Sequence, residues 1–215
     1  SGQVRALLEP HSDELLPGAM EGYTPPEGDG TERNRAGIRA ALDLMELAGW
    51  TVQDGVMADA SGAPFTFDIL LNQGTTSHQQ ITDLYVSALE RLGINASVTA
   101  IDAAQLRERT NAFDFDMAVY RRSLSLSPGN EQNFYWSAKA ADEDGSRNWM
   151  GMKSPAAEAM INAILSASSQ DDFVAATRAL DRVLTSGRYV IPFWHSPVSR
   201  LAHVKELKKP ATTQI

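Results

Sequence analysis

The sequence predicts an α/β fold: a mixed, mostly parallel sheet flanked by helices. Period-two apolar runs, Phe65, Phe67, Ile69 and Leu71 and then Ile94, Ala96, Val98 and Ile101, alternate along the chain with runs at helical period. The segments follow one another as strand, helix, strand, helix, strand, the order that crossover units on parallel strands produce. A 215-residue chain that is 43% hydrophobic also has apolar surface enough for a core of its own.

Residues 1–30 mix Leu7, Leu8, Leu15 and Leu16 with Pro10, Pro17, Pro25, Pro26, Gly28 and Gly30, without a sustained period, and are expected to form an extended lead-in. Thr31 or Asn34 can cap a helix that places Ile38, Leu42, Met45 and Leu47 near one face and stops at Gly49. Trp50 and Val52, the Asp54-Gly55 turn, and Val56 and Met57 predict a small hairpin, which a second turn at Ser61-Gly62 joins to the first long strand. Ile81, Leu84, Tyr85, Ala88, Leu89 and Leu92 then form the stripe of a buried helix face, ended by Gly93. After the second strand, Asp102 opens a short helix over 103–109, and Phe115 to Tyr120 read as a third strand. From Ser123 to Ser154 periodicity fails, and prolines and glycines alternate with Phe134, Tyr135, Trp136, Asn148 and Trp149, the composition of a binding loop. Helices follow from Ser154-Pro155 and from Gln170-Asp171-Asp172, and Tyr189 to Trp194 with Val198 to Val204 suggest a closing strand pair.

Composition removes several classes of function. With 19 basic residues against 27 acidic ones the net charge is −8, the wrong sign for neutralising a phosphate backbone, so nucleic acid is not an expected partner. No apolar run approaches the roughly 20 residues that cross a bilayer. The absence of cysteine excludes disulfides, thiolate metal sites and thiol catalysis. Glycine-rich phosphate loops, nucleophile elbows and dinucleotide turns do not occur, and His11, His78, His195 and His203 show no spacing that offers two imidazoles to one metal. No metal and no cofactor is therefore expected. Asp142-Glu143-Asp144-Gly145 matches only the first half of a calcium loop. A hydrolase using Asp114 or Asp116 with His195 is the alternative to a binding role, and it needs these groups in one cleft. An interaction module that docks a protein on the aromatic loop is a third reading.

What remains suits recognition without reaction. Arg121, Arg122 and Ser123 end the third predicted strand, and Asn130, Gln132, Asn133, Tyr135, Trp136, Asn148 and Trp149 follow. In open α/β sheets ligands gather beyond the carboxyl ends of strands, and aromatic walls with amide and guanidinium donors fit a polar organic ligand. Trp136 and Trp149 fit the core equally well.

Several stretches in order, Ala40 to Trp50, Phe67 to Asn72, Leu89 to Ile94, Phe115 to Ala118, Ser154-Pro155, Ala179 to Leu184 and Tyr189 to Pro192, resemble the C-terminal lobe of extracellular solute-binding protein family 5. These are the oligopeptide- and dipeptide-binding subunits of ABC importers. Arg122 to Gln132 is similar to the subgroup linked to import of microcin C and related peptides. The resemblance implies a periplasmic-binding-protein-like C-terminal lobe over 31–215, preceded by the lead-in 1–30, with the N-terminal lobe outside this chain. It implies a protein of the bacterial periplasm, free or lipid-anchored, that is not an enzyme, acts as a monomer, and passes a peptide or peptide-like solute to ABC permease subunits in the inner membrane.

Carried over position by position, the resemblance places ligand contacts at Asn72 and Gln73, along the stretch Arg121, Arg122, Ser123 and Ser125, and at Trp194 and His195. Asn130 and Trp136 join them from the aromatic loop. Peptide binders of the family carry an aspartate for the ligand's α-ammonium after the central strand, and here that position falls on Leu124 or Ser125. The ligand is then expected to be N-blocked, to carry an anionic or polar group near Arg122, or to bind in another way, since a closed cleft does not tolerate an unpaired ammonium.

Overall fold

The computed structural model describes residues 2–31, 33–122, 127–192, 202, 204 and 206. Three parallel strands, β3 (Thr66–Asn72), β4 (Asn95–Ile101) and β5 (Met117–Ala118), form a sheet in the order β4-β3-β5, with Thr66 opposite Asn95 and Ile69 opposite Met117. An antiparallel hairpin, β1 (Thr51–Gln53) and β2 (Val56–Ala58), turns at Asp54 and Gly55, both at positive φ, as the Asp-Gly pair requires. β3 is central, and Ile69, Leu70 and Leu71 are all buried, so its continuous apolar run is covered on both faces.

One core packs on one face of this sheet. Met57, Ile69, Leu71, Leu89, Leu92, Ile94 and Ala96 meet there beneath α2 (Arg35–Leu47) and α3 (Thr76–Glu90), with Trp50 and Phe65 edge-to-face at 4.7 Å. Asn34 caps α2 by accepting from the Gly37 N–H. α4 (Ala103–Asn111) starts where Asp102 Oδ1 accepts from the N–H groups of Ala104 and Gln105 at 2.8 and 3.0 Å. Asp102→Ala strands both donors and is expected to cost about 1 kcal/mol, read as a shift in the denaturation midpoint.

A second core is helical. α7 (Pro155–Leu165) and α8 (Gln170–Gly187) pack along each other around Met160, Ile161, Ile164, Ala176, Leu180 and Val183, and α1 (Gly2–Leu8) lies on α8 through Val4 and Leu8. Ser154 and Ser169 cap the two long helices from their side chains.

Several expectations need correction. The lead-in is not extended at its start: α1 and a 3-10 turn over Glu9–His11 are helical, because Val4 and Leu8, one helical turn apart, both find the helical core. Leu47 and Leu84 are 85% and 62% exposed. Leu47 stands two and a half turns from Ile38, on the opposite side of α2. α3 turns inward through Thr82, Tyr85, Val86 and Leu89, and the buried Thr82 rotates its face away from Leu84. The third strand is two residues long because Phe113, at φ 55°, turns the chain before it and Tyr120 leaves the ladder after it for Trp149. The stretch 123–154 contains α5 (Glu131–Trp136) and α6 (Ala138–Ala141), both too short to display a period. At the end of the chain, Tyr189 to Pro192 form no strand, and the rest of that predicted pair falls almost entirely outside the described residues.

Candidate functional site

The carboxyl ends of β3 and β5 lie side by side. Leu70 is opposite Ala118, and the Val119 N–H donates to the Leu70 carbonyl at 3.2 Å, so the two chains leave the sheet together toward Asn72-Gln73 and Tyr120-Arg121-Arg122. The Gln73 N–H is held by the Ile101 carbonyl at 2.7 Å, and Asn72 accepts from Thr75 Oγ1 at 2.6 Å through its backbone oxygen. Both side-chain amides are thereby fixed at their roots and exposed at their tips.

Arg122 is the centre of this edge. Its guanidinium carbon stands 3.4 Å from the centroid of the Tyr135 ring and 5.1 Å from that of Trp136, so an aromatic platform from α5 covers one face of the cation. Nε and Nη2 are buried and have no hydrogen-bond partner among the described residues. Desolvation pulls the Arg122 pKa below its ordinary value, opposed by the neighbouring Tyr135, Tyr120 and Glu131. Glu131 attracts the cation from a distance without forming an ion pair: its Oε1 accepts from the Gly129 N–H at 2.9 Å and from Gln132 Nε2 at 3.0 Å. These bonds, the Gly129 one foremost, hold the Glu131 pKa below the usual carboxylate range.

The aromatic cluster continues outward. Tyr120 stacks at a tilt on Trp149 with ring centres 4.6 Å apart, and Phe115 meets Trp149 edge-on at 5.9 Å. The Trp149 indole N–H is also buried, with no partner among the described residues. Burial, then the nearby Tyr135, push the Tyr120 phenol above its ordinary pKa.

The structure thus brings Asn72, Gln73, Arg121 and Arg122 to one edge, with Tyr135 beneath Arg122. Asn130, directly before α5, is exposed, and its Oδ1 accepts from Asn133 Nδ2 at 3.1 Å. Trp136 belongs to the helical core and supports the platform from behind. Asn148 is fully buried and bonded to Ser137 and Met152, so its amide is spent on the fold and is not free for a ligand. Ser123, Ser125, Trp194 and His195 lie outside the described residues. Sequence reasoning passed over Tyr120 as a strand residue; its signal was an aromatic directly before two arginines.

The carboxylates of the hydrolase alternative are occupied elsewhere. Asp114 pairs with Arg109 Nε at 2.9 Å, and Asp116 Oδ2 accepts from the Asp68 N–H at 3.0 Å, both before β5 begins and so at the opposite end of that strand from Arg122. Asp142 and Glu143 pair with Lys153 and Lys139. Among the described residues no acidic or histidine group has the arrangement of a metal site, and no helix is long and apolar enough to cross a membrane. A shallow depression lined by Arg33, Arg35, Arg39 and Arg91 occurs at the amino end of the sheet, but it has neither aromatic backing nor a buried unpartnered donor.

Comparison with known proteins identifies the family and the fold. Residues 8–145 match the model described as bacterial extracellular solute-binding proteins, family 5 Middle. A binding protein of Brucella melitensis is 38% identical over 212 residues, which are 98% of this chain and 34% of that protein. The YejA peptide-binding protein of Agrobacterium fabrum is 35% identical over 214 residues, again 98% of this chain and 34% of the relative. The chain thus spans about a third of the length of the curated relatives it matches. Among solved structures, the oligopeptide-binding protein AppA of Bacillus subtilis, in complex with a nonapeptide, superimposes with a TM-score of 0.62 at 18% identity, over 88% of this chain and 40% of that one. The strand-end edge around Arg122 is thus carried on a periplasmic-binding-protein fold, and the chain belongs to family 5 of the bacterial extracellular solute-binding proteins.

Proposed function

We propose that this chain forms the C-terminal solute-binding lobe of an ABC importer's extracytoplasmic binding protein, with 1–30 leading into the lobe at 31–215. The whole protein captures a peptide or peptide-like solute between this lobe and a second one, closes on it, and presents the closed form to permease subunits in the inner membrane. It works outside the cytoplasm, free in the periplasm or lipid-anchored, as a monomer, by binding alone and without metal or cofactor. The observation that carries this reading is the aromatic-backed Arg122, with two donors that have no partner among the described residues, at the carboxyl ends of adjacent parallel strands, where open α/β sheets hold their ligands. Asn72, Gln73, Arg121 and Asn130 would line the wall beside it, with Ser123, Ser125, Trp194 and His195 completing it. Trp136 would act by holding Tyr135 in place. Relatives that bind peptides support the solute class.

Native mass spectrometry of the intact protein from a periplasmic extract tests this. The expected result is a co-purified peptide-like mass, released on mild unfolding. A bare mass that stays bare after incubation with mixed peptides would overturn the assignment.

A further inference from the structure

We infer that the arginine-lined depression at the amino end of the sheet is a second binding site, for clustered phosphate groups that together carry at least two negative charges. The inference does not depend on the solute-binding reading, since this is the end of the sheet away from Arg122. Three segments build the depression. Arg33 stands just before the helix cap Asn34, α2 contributes Arg35 and Arg39, and Arg91 directly follows the last residue of α3. Ile38 and Leu42, half-buried on α2, complete the lining of an open space of about 420 Å³.

Charge sets this place apart. The chain as a whole carries −8, yet four of its 19 basic residues converge here with no acid in the lining. None of the four guanidiniums has an ion pair among the described residues, although Asp43 and Glu46 share α2 with two of them and Glu90 directly precedes Arg91. Asp29 turns its Oδ1 to the N–H and hydroxyl of Thr31. Glu32 lies outside the described residues and is one charge against four. Arg35 and Arg39, four residues apart on one helix, repel each other, a cost that a bound anion offsets. Guanidinium forks donate in pairs to phosphate oxygens and keep their charge at neutral pH. Forks supplied by three segments of the chain suit a tetrahedral acceptor with oxygens in several directions better than a planar carboxylate, which takes one fork edge-on. All four arginines are exposed, so one contact with a monoanion contributes little, whereas a polyanion engages several for a single loss of freedom. Ile38 and Leu42 leave apolar floor for the carbon part of an organic phosphate or a phospholipid headgroup.

The test is titration calorimetry of the intact protein with inorganic pyrophosphate, citrate and sulfate, at a salt concentration of about 0.15 M that screens distant charges. On the unaltered protein, pyrophosphate is expected to bind about 10-fold more tightly than citrate or sulfate. Arg39→Gln and Arg91→Gln, exposed changes on two different elements, should each weaken pyrophosphate about 5-fold. Arg178→Gln removes the same charge from an exposed position on α8 and should leave the binding as it was. A second arm sediments the protein with phosphatidylcholine vesicles with and without phosphatidylglycerol. Sedimentation that needs phosphatidylglycerol and is lost in Arg39→Gln would support the site with a lipid headgroup as the source of the phosphate. Pyrophosphate binding without sedimentation would support it with a free phosphate compound. Citrate binding as tightly as pyrophosphate would overturn the choice of phosphate. Binding of neither pyrophosphate nor the vesicles, or equal losses in all three variants, would overturn the site.

Discussion

Replacing Asn148 with leucine is expected to lower the stability of the fold by about 3–5 kcal/mol, since each buried polar group left without its partner costs about 1–3 kcal/mol. The side chain is fully buried and uses everything it has. Its Nδ2 donates to the carbonyls of Ser137 and Met152 at 2.9 and 2.7 Å, and its Oδ1 accepts from the Met152 N–H at 2.9 Å. Its own N–H reaches Ser146 Oγ at 3.3 Å, and that hydroxyl donates in turn to the Ala140 carbonyl. One residue therefore ties the start of α6 to the segment that enters α7. Leucine fills a similar volume and leaves two carbonyls and one N–H in the dark. Aspartate at the same place keeps the acceptor and turns a carboxylate toward two carbonyls, which favours its protonated form in the fold. Its folded pKa is then raised, so its penalty is absent below the unfolded value of about 3.9 and grows as pH rises through the folded one. Urea midpoints of the two variants, compared between acid and neutral pH, check both points: only the aspartate variant should gain relative to leucine on acidification. A cost below about 1 kcal/mol for leucine would mean that Asn148 does not hold this junction.

The same residue shows how far the sequence could be read. An asparagine among aromatics looks alike whether it faces a ligand or staples a loop, because the difference lies in backbone carbonyls eleven residues back and four ahead, at Ser137 and Met152. Elements whose signal is local were legible. The period-two runs became β3 and β4, the Asp54-Gly55 turn became the hairpin, and Asn34, Asp102 and Ser154 cap the helices they were expected to open. Elements that owe their form to distant contacts were not. α1 takes its reason from α8, more than 160 residues away, and the inward rotation of α3 is decided by Thr82, which an apolar count ignores. At the site, the strand ends and the two arginines were legible from order alone. That Tyr135 would lie under Arg122, or that Trp136 would turn to the core, depends on a six-residue helix whose face no periodicity reveals.

Gly93→Ala is expected to cost about 2–4 kcal/mol, and Gly49→Ala only about 1 kcal/mol, although the two glycines do the same local work. Each closes a helix in a left-handed turn, at φ 75° and 87°. The hydrogen bonds correspond: Gly93 and Ile94 return to Glu90 and Leu89, and Gly49 and Trp50 return to Glu46 and Met45, the paired bonds of a Schellman cap. Alanine at either position meets the same backbone penalty of about 1 kcal/mol. The surroundings separate them. A Cβ on Gly49 meets nothing within 4 Å, whereas one on Gly93 lies 2.8 Å from both the Gly55 oxygen and the Met57 nitrogen. Those are backbone atoms of the hairpin, and the Met57 N–H is itself bonded to the Gly93 carbonyl at 2.8 Å, so neither side can yield without breaking the contact. Room for a methyl group would have to come from lifting β1 and β2 away from the end of α3, and with them Met57, a fully buried member of the sheet core. The difference between the two denaturation midpoints thus isolates the crowding from the dihedral strain, about 1–3 kcal/mol in excess for Gly93. Equal losses at the two positions would show that the hairpin moves freely over the helix end and that its seat on Gly93 does not help hold the sheet core closed.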